Sequence, residues 1–176
     1  MKLLYNPFLT LFLFVHIVGC AQVPTDRPHL NNPAFDKQVS ELIHFSIPLL
    51  SVEDLNQNLS DYIVFDTREK EEYLVSHIEG AKYLGYKEFD ASVIENLPKD
   101  SKIVLYCSVG YRSEKIGEKL NAMGFENVYN LFGSIFEWAN RGYKVVDIHG
   151  QETKKIHVYN QNWSKWLNAP GVEKIW

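Results

Sequence analysis

The residues with the clearest chemical potential are Tyr106-Cys107-Ser108-Val109-Gly110-Tyr111-Arg112-Ser113, set between a short β-branched run and a helix-forming stretch. A tight loop that leaves the carboxyl end of a strand and enters a helix aims several backbone N–H groups into one concavity. Gly110 permits the turn. Cys107 lies at the mouth of such a nest, where the N–H groups and the positive end of the helix dipole favour its thiolate. Arg112, at the helix start, adds a fixed cation that either holds an anionic substrate or braces the loop. A free cysteine ending a strand is also commonly just a small buried hydrophobe. The glycine, the arginine and the serine that follow it point instead to a covalent nucleophile.

A strand–loop–helix of this kind needs an α/β frame. Strands are expected at Tyr62–Phe65, Ala81–Leu84, Lys102–Tyr106 and Val128–Leu131, short apolar runs suited to a buried parallel sheet. Helices are expected at Lys70–Val75, Phe89–Leu97, Glu114–Met123 and Ile135–Asn140, with Gly124 and Gly142 as stop signals. Alternation of the two implies a sheet covered by helices on both faces. Beyond Tyr143 the pattern weakens. Lys144–Ile148 and Ile156–Tyr159 read as further strands or a wrapping tail, with Trp163, Trp166 and Trp176 expected to pin it to the body.

The N-terminus has a different character. Lys2 precedes the apolar run Phe8–Val18, too short to span a bilayer but of signal-peptide length. Ile17-Val18-Gly19-Cys20 resembles the lipobox of bacterial lipoproteins, which implies cleavage before Cys20, its lipidation, and anchoring to a membrane of the cell envelope on the extracytoplasmic side. Residues 21–34, with Pro24, Pro28 and Pro33, read as an extended tether. Only two cysteines exist, so a lipidated Cys20 leaves Cys107 as the one free thiol, and an unpaired thiol in an oxidising compartment points to reactivity.

The loop, taken with its flanks, resembles that of rhodanese-like sulfurtransferases: a cysteine, four residues, then arginine and serine. Upstream, Asp66-Thr67-Arg68, Glu72-Tyr73 and His77-Ile78-Glu79-Gly80-Ala81 are similar to the family pattern; so are Gly124-Phe125, Asn127-Val128, Leu131-Phe132-Gly133 and Trp138 downstream. The likeness runs from Phe45 to Gly142. Ser76 and Ser134 stand where the family commonly has glycine, and neither is expected to touch the nucleophile. The loop interior also lacks the additional basic residue of many thiosulfate-using members.

The resemblance implies a three-layer α/β/α domain with a central, mostly parallel sheet over residues 35–143. It leaves residues 1–19 as signal peptide, 20–34 as lipidated cysteine and tether, and 144–176 as a C-terminal extension. The implied activity is sulfur transfer through a Cys107 persulfide held by the loop Ser108–Ser113. The donor would be thiosulfate or a persulfide, the acceptor a thiol or a cyanide-like species, with no cofactor. Asp66, Arg68, Glu72 and His77 are expected to be structural: the first two an ion pair or cap that braces the next helix together with Glu72, and His77 no part of a dyad.

Three rivals exist. Phosphatases and arsenate reductases of the same fold place five residues between cysteine and arginine; here there are four, a ring better sized for one sulfur than for a phosphate. A non-catalytic binding module would be expected to lose the cysteine. A redox role would need an external thiol to resolve a mixed disulfide. Composition excludes other classes. A net charge of −4 without a Lys/Arg stripe argues against a nucleic-acid partner, and six scattered histidines with no ligand spacing argue against a metal.

Overall fold

The computed structural model describes residues 23–176. Helix α1 (Pro33–Leu42) starts at a capping Asn32, whose side chain accepts from the N–H groups of Ala34 and Phe35, with Pro33 at the first helical position. It leads to β1 (Leu49–Leu50), α2 (Val52–Gln57) and β2 (Ile63–Asp66). Next come α3 (Lys70–Val75), β3 (His77–Ile78), β4 (Lys82–Tyr83) and β5 (Lys102–Tyr106). The chain continues through α4 (Tyr111–Ala122), β6 (Asn127–Leu131), α5 (Ser134–Asn140) and β7 (Val145–Val146), then β8 (Lys155–His157), α6 (Gln161–Ser164) and β9 (Glu173–Ile175).

Five strands form one parallel sheet in the order β1-β6-β5-β2-β4. Alternation along its central strands builds two cores. Val64, Val104 and Tyr106 face Phe35, Val39, Leu55, Ile135 and Phe136 of α1, α2 and α5. Phe65, Ile103 and Leu105 face Ile116 and Leu120 of α4, with Ile47 and Ile94. The fold is therefore the expected α/β/α sandwich. Gly117 of α4 lets the helix sit against Ile47: a Cβ there would come within 2.9 Å of the Ile47 side chain. The fully buried Glu114 also ties α4 to the chain before β1, its carboxylate accepting from the N–H groups of His44 and Ser46.

Most expected elements stand within a few residues of their places, and α3 and β5 match their predicted bounds. The helix expected over Phe89–Leu97 is absent. Only a 3-10 turn at Ala91–Val93 forms, capped by the Asp90 side chain, which accepts the N–H and the hydroxyl of Ser92; the bonds that follow, Ile94 to Ala91 and Leu97 to Ile94, close over three residues instead of four. The tether is shorter than its composition indicates. Arg27 pairs with Asp36 and lies over the Phe132 ring, Leu30 is buried, and the Asn31 N–H donates to Glu137. Proline and polar content marks extended chain but carries no sign of a partner more than a hundred residues away. The lipobox residues lie outside the described part of the chain.

The extension after Tyr143 is ordered and wrapped on the body. Strand β7 pairs antiparallel with β3, and β8 pairs parallel with β9. Ile156, Val158 and Leu167 are buried, and Trp166 stacks on Phe35 at 5.4 Å. Trp176 is 64% exposed and pins nothing.

Asp66 and Arg68, at the end of β2, are both fully buried and share a salt bridge of 2.6 Å; Arg68 also donates to the Ser76 carbonyl. Burial opposes charge on Arg68, but the attraction and hydrogen bonds of Asp66, with Tyr106 and Glu72 nearby, together outweigh it and hold the guanidinium protonated. Replacing Arg68 by Met strands the carboxylate and should cost about 3–5 kcal/mol, read as a fall in the urea midpoint, whereas the double replacement Asp66→Leu/Arg68→Met should recover most of it.

Candidate active site

Strands β2 and β5 run side by side with Asp66 opposite Tyr106, and their carboxyl ends carry the two loops that build the site. Thr67 fastens one to the other: its N–H and its hydroxyl both donate to the Tyr106 carbonyl, each at 2.9 Å. The second loop starts at Cys107, turns at Gly110 with φ +128°, and enters α4 at Tyr111. That φ is one side chains rarely adopt, which is why glycine stands there.

Cys107 is 1% exposed and its thiol is free. Burial pushes the thiol up, but the Arg112 charge and the N–H groups of Ser113, Gly110 and Val109 outweigh it, and the net position is below an ordinary thiol. The Gly110 N–H donates to Sγ at 3.1 Å. The expected nest is therefore present, with the sulfur at its centre.

Arg112 does not point at an open anion site. Its guanidinium forms a fork on Glu72, Nη1 to Oε2 at 2.6 Å and Nη2 to Oε1 at 2.9 Å. Glu72 also accepts from the Glu69 N–H and from the Ser108 hydroxyl, which in turn accepts from Arg112. Of the two roles left open for Arg112, bracing the loop is the one this geometry performs. Glu72 braces the start of α3 by accepting the Glu69 N–H, and it also faces Arg112 across forty residues, a partner the sequence did not indicate. Burial raises the Glu72 carboxyl, but its bonds to Arg112 win and hold it below the usual carboxylate range.

The far side of the loop is fixed by β6. Ser113 donates its hydroxyl to Asn130 at 2.7 Å, and the Asn130 amide donates to the Gly110 carbonyl at 2.9 Å. Ser134 accepts the Cys107 backbone N–H at 3.1 Å and donates to the Leu131 carbonyl. The expectation that Ser134 stays clear of the nucleophile is thus corrected: it holds the residue's backbone. Ser76 gives its carbonyl to Arg68, as noted. His77 stacks on Tyr73 with ring centroids 4.1 Å apart and does not line the cleft, consistent with a structural role.

A cleft of about 260 Å³ opens above Cys107. Val109, Tyr111, Leu42, Tyr86, Tyr159 and Trp163 supply its carbon walls. Glu69 and Lys87, 3.8 Å apart, form a charged rim. Sequence reasoning had assigned Tyr111 to the site and missed Asn130, Leu42, Tyr86, Tyr159 and Trp163. No local pattern marks them, since each reaches the site through the fold.

The rhodanese-like domain profile matches residues 51–141, just over half of the chain. The chain belongs to the rhodanese-like domain family. Among similar sequences, tRNA uridine(34) hydroxylases from Sodalis glossinidius and Photorhabdus laumondii are 36% and 37% identical over 99 residues. That stretch is 52% of this chain, and the chain spans 28% of the length of either relative. Among solved structures, the rhodanese-like domain of an Anabaena protein aligns with a TM-score of 0.54 at 23% identity, over 60% of this chain and 83% of that one. A thiosulfate sulfurtransferase from Pseudomonas aeruginosa aligns with a TM-score of 0.53 at 22% identity, over 60% of this chain and 21% of that one. Likeness at that identity shows the rhodanese-like fold. The matched segment contains the loop, Glu72 and Asn130, whereas Leu42, Tyr159 and Trp163 lie in the flanks.

Two outcomes follow from the loop electrostatics. Alkylation of the Cys107 peptide by iodoacetamide should have its midpoint below an ordinary thiol, about pH 8.5, and Arg112→Met should move it upward. Because the Glu72 carboxyl is depressed in the fold, its pair with Arg112 adds stability that is full above the ordinary carboxylate range and is lost as pH falls through the folded value. The urea midpoint of Glu72→Gln should therefore lie below wild type at neutral pH, and the gap should close in acid.

Proposed function

We propose that this chain is a rhodanese-type sulfurtransferase with Cys107 as its nucleophile. The observation that carries the reading is the sulfur at the centre of the loop: a thiol held below its ordinary pKa by three N–H groups and Arg112. In the first step the Cys107 thiolate attacks the outer, sulfane sulfur of a donor. With thiosulfate the donor S–S bond breaks, sulfite leaves with the electron pair, and a new S–S bond makes the Cys107 persulfide anion. The same N–H groups that favour the thiolate stabilise that anion. In the second step a thiol or cyanide attacks the terminal sulfur, and the Cys107 thiolate leaves. Ser108–Ser113 form the cradle, while Glu72, Asn130 and Ser134 keep its shape.

The rival readings find less support. A phosphatase needs a wider ring than four residues give and a carboxylic acid free to protonate a leaving group. The one carboxylate on the cleft, Glu69, lies 3.8 Å from Lys87 and 3.9 Å from Arg112. A pure binding module has no use for a depressed thiol. The hydroxylase name belongs to proteins of which this chain matches 28%, and a net charge of −4 favours a small sulfur compound over a polyanion.

The Ile17–Cys20 pattern supports a lipid-anchored protein on the extracytoplasmic side of a bacterial membrane, with the ordered body beginning near Arg27. Replacing Cys20 by Ser should release the protein from the membrane fraction; unchanged fractionation sinks the anchor. For the chemistry, purified protein given thiosulfate and cyanide should produce thiocyanate, and donor alone should add one sulfur atom to its intact mass. Cys107→Ser should do neither. A wild type that takes sulfur from no sulfane donor rules the reading out.

A further inference from the structure

The C-terminal extension contributes to the cleft as well as to the fold. Residues 158–163 bring Tyr159 and Trp163 to the mouth above Cys107, opposite Leu42 of α1. Tyr159 adopts φ +62°, a left-handed conformation that is uncommon for a residue with a side chain and persists only where the surroundings impose it. Here its N–H donates to His157 Nδ1 at 3.1 Å, and its ring lies 5.0 Å from the Arg112 guanidinium carbon. The segment is anchored on both sides of the tyrosine: Val158 is fully buried, and Asn160 caps α6 by accepting the Trp163 N–H. Tyr159 nonetheless remains 53% exposed, and it lines the cleft together with Cys107.

The charge at this cleft is balanced. Among the described residues, Arg112 is forked on Glu72 and Lys87 lies 3.8 Å from Glu69, so each cation lining the cleft has a carboxylate neighbour. A dianion such as thiosulfate would meet carbon walls and neutralised pairs. An organic group on the inner sulfur of a donor would meet Tyr159, Trp163, Tyr86, Tyr111 and Leu42.

Resting on the sulfur-transfer reading, we infer that the C-terminal extension, through Tyr159 and Trp163, selects an organic hydropersulfide with an apolar body as donor over thiosulfate. The step balances: the Cys107 thiolate attacks the outer sulfur of R–S–SH, the donor S–S bond breaks, R–S⁻ departs with the electron pair, and Cys107 becomes the hydropersulfide. The aromatic walls bind R during attack and add no chemistry of their own.

The test measures how fast each donor loads one sulfur atom onto Cys107 of the purified full chain, by quenched mass spectrometry with benzyl hydropersulfide or thiosulfate. Wild type should load faster from the hydropersulfide. In Tyr159→Ala and Trp163→Ala the ratio of the two rates should fall by on the order of tenfold, the scale of losing apolar contact in a pocket. Tyr159→Phe should keep the wild-type ratio. Trp163→Ala can loosen the extension; Tyr159 is mostly exposed, so Tyr159→Ala with an unchanged melting curve decides the matter. A wild type that prefers thiosulfate, or a Tyr159→Ala that slows both donors equally, overturns the selection and leaves sulfur transfer standing. A wild type loaded by neither donor overturns the sulfur-transfer reading, and this inference with it.

Discussion

The fork between Arg112 and Glu72 governs the rest of the site. A buried carboxylate and guanidinium are stable only when both are paired and their remaining lone pairs and protons are engaged. Glu72 meets that condition through two N–H groups of Arg112, the Glu69 N–H and the Ser108 hydroxyl. The pair therefore binds the first turn of α4 to α3 and fixes the loop between them. With Arg112 held, the N–H groups of Val109, Gly110 and Ser113 converge on one sulfur and keep it ready to ionise in a buried place. The Arg112 charge still reaches the Cys107 sulfur, but its N–H fork is engaged on Glu72 instead of facing an incoming anion. One interaction thus sets both the reactivity of Cys107 and the electrical neutrality of the cleft above it.

Around this fork the loop is held on every side by groups that do not touch the sulfur. Asn130 reads both Ser113 and the Gly110 carbonyl, Ser134 takes the Cys107 N–H, and Thr67 ties the β2 loop to Tyr106. Each replaces water that a tight buried turn would otherwise lack, and unsatisfied backbone groups there would open the nest. The departure from glycine at Ser134 has a purpose in this light: its hydroxyl serves the nucleophile's own backbone. Its φ of +52° is the backbone strain that accompanies that contact.

The flanking segments add what the matched domain lacks. The α1 helix and the C-terminal extension both border the cleft and are joined by the stack of Trp166 on Phe35, while Asn140 of α5 holds the extension by donating to the Trp166 carbonyl and accepting the Asn168 N–H. The family likeness covers the Cys107 loop, its supports and part of the cleft wall; Leu42, Tyr159 and Trp163 complete that wall from outside the matched segment.

Much of this was legible in the amino-acid order. The four-residue gap from Cys107 to Arg112, the β-branched run before it and the stop at Gly124 are local signals, because strand and helix formation depend on near neighbours. They defined the sheet, α4 and the Cys107 loop. The helix expected at Phe89–Leu97 is replaced by 3-10 turns after the Asp90 cap, and the tether is shorter than expected because Arg27 meets Asp36 and Phe132. Glu72, Asn130, Ser134, Tyr159 and Trp163 lie 23 to 56 residues from Cys107 along the chain. The sequence by itself pointed to the Cys107 thiol and to the turn that holds it, since both follow from adjacent residues. Only the tertiary structure decided that Arg112 is neutralised and that aromatic rings roof the cleft, because contacts between distant segments are chosen by packing and leave no periodicity to read.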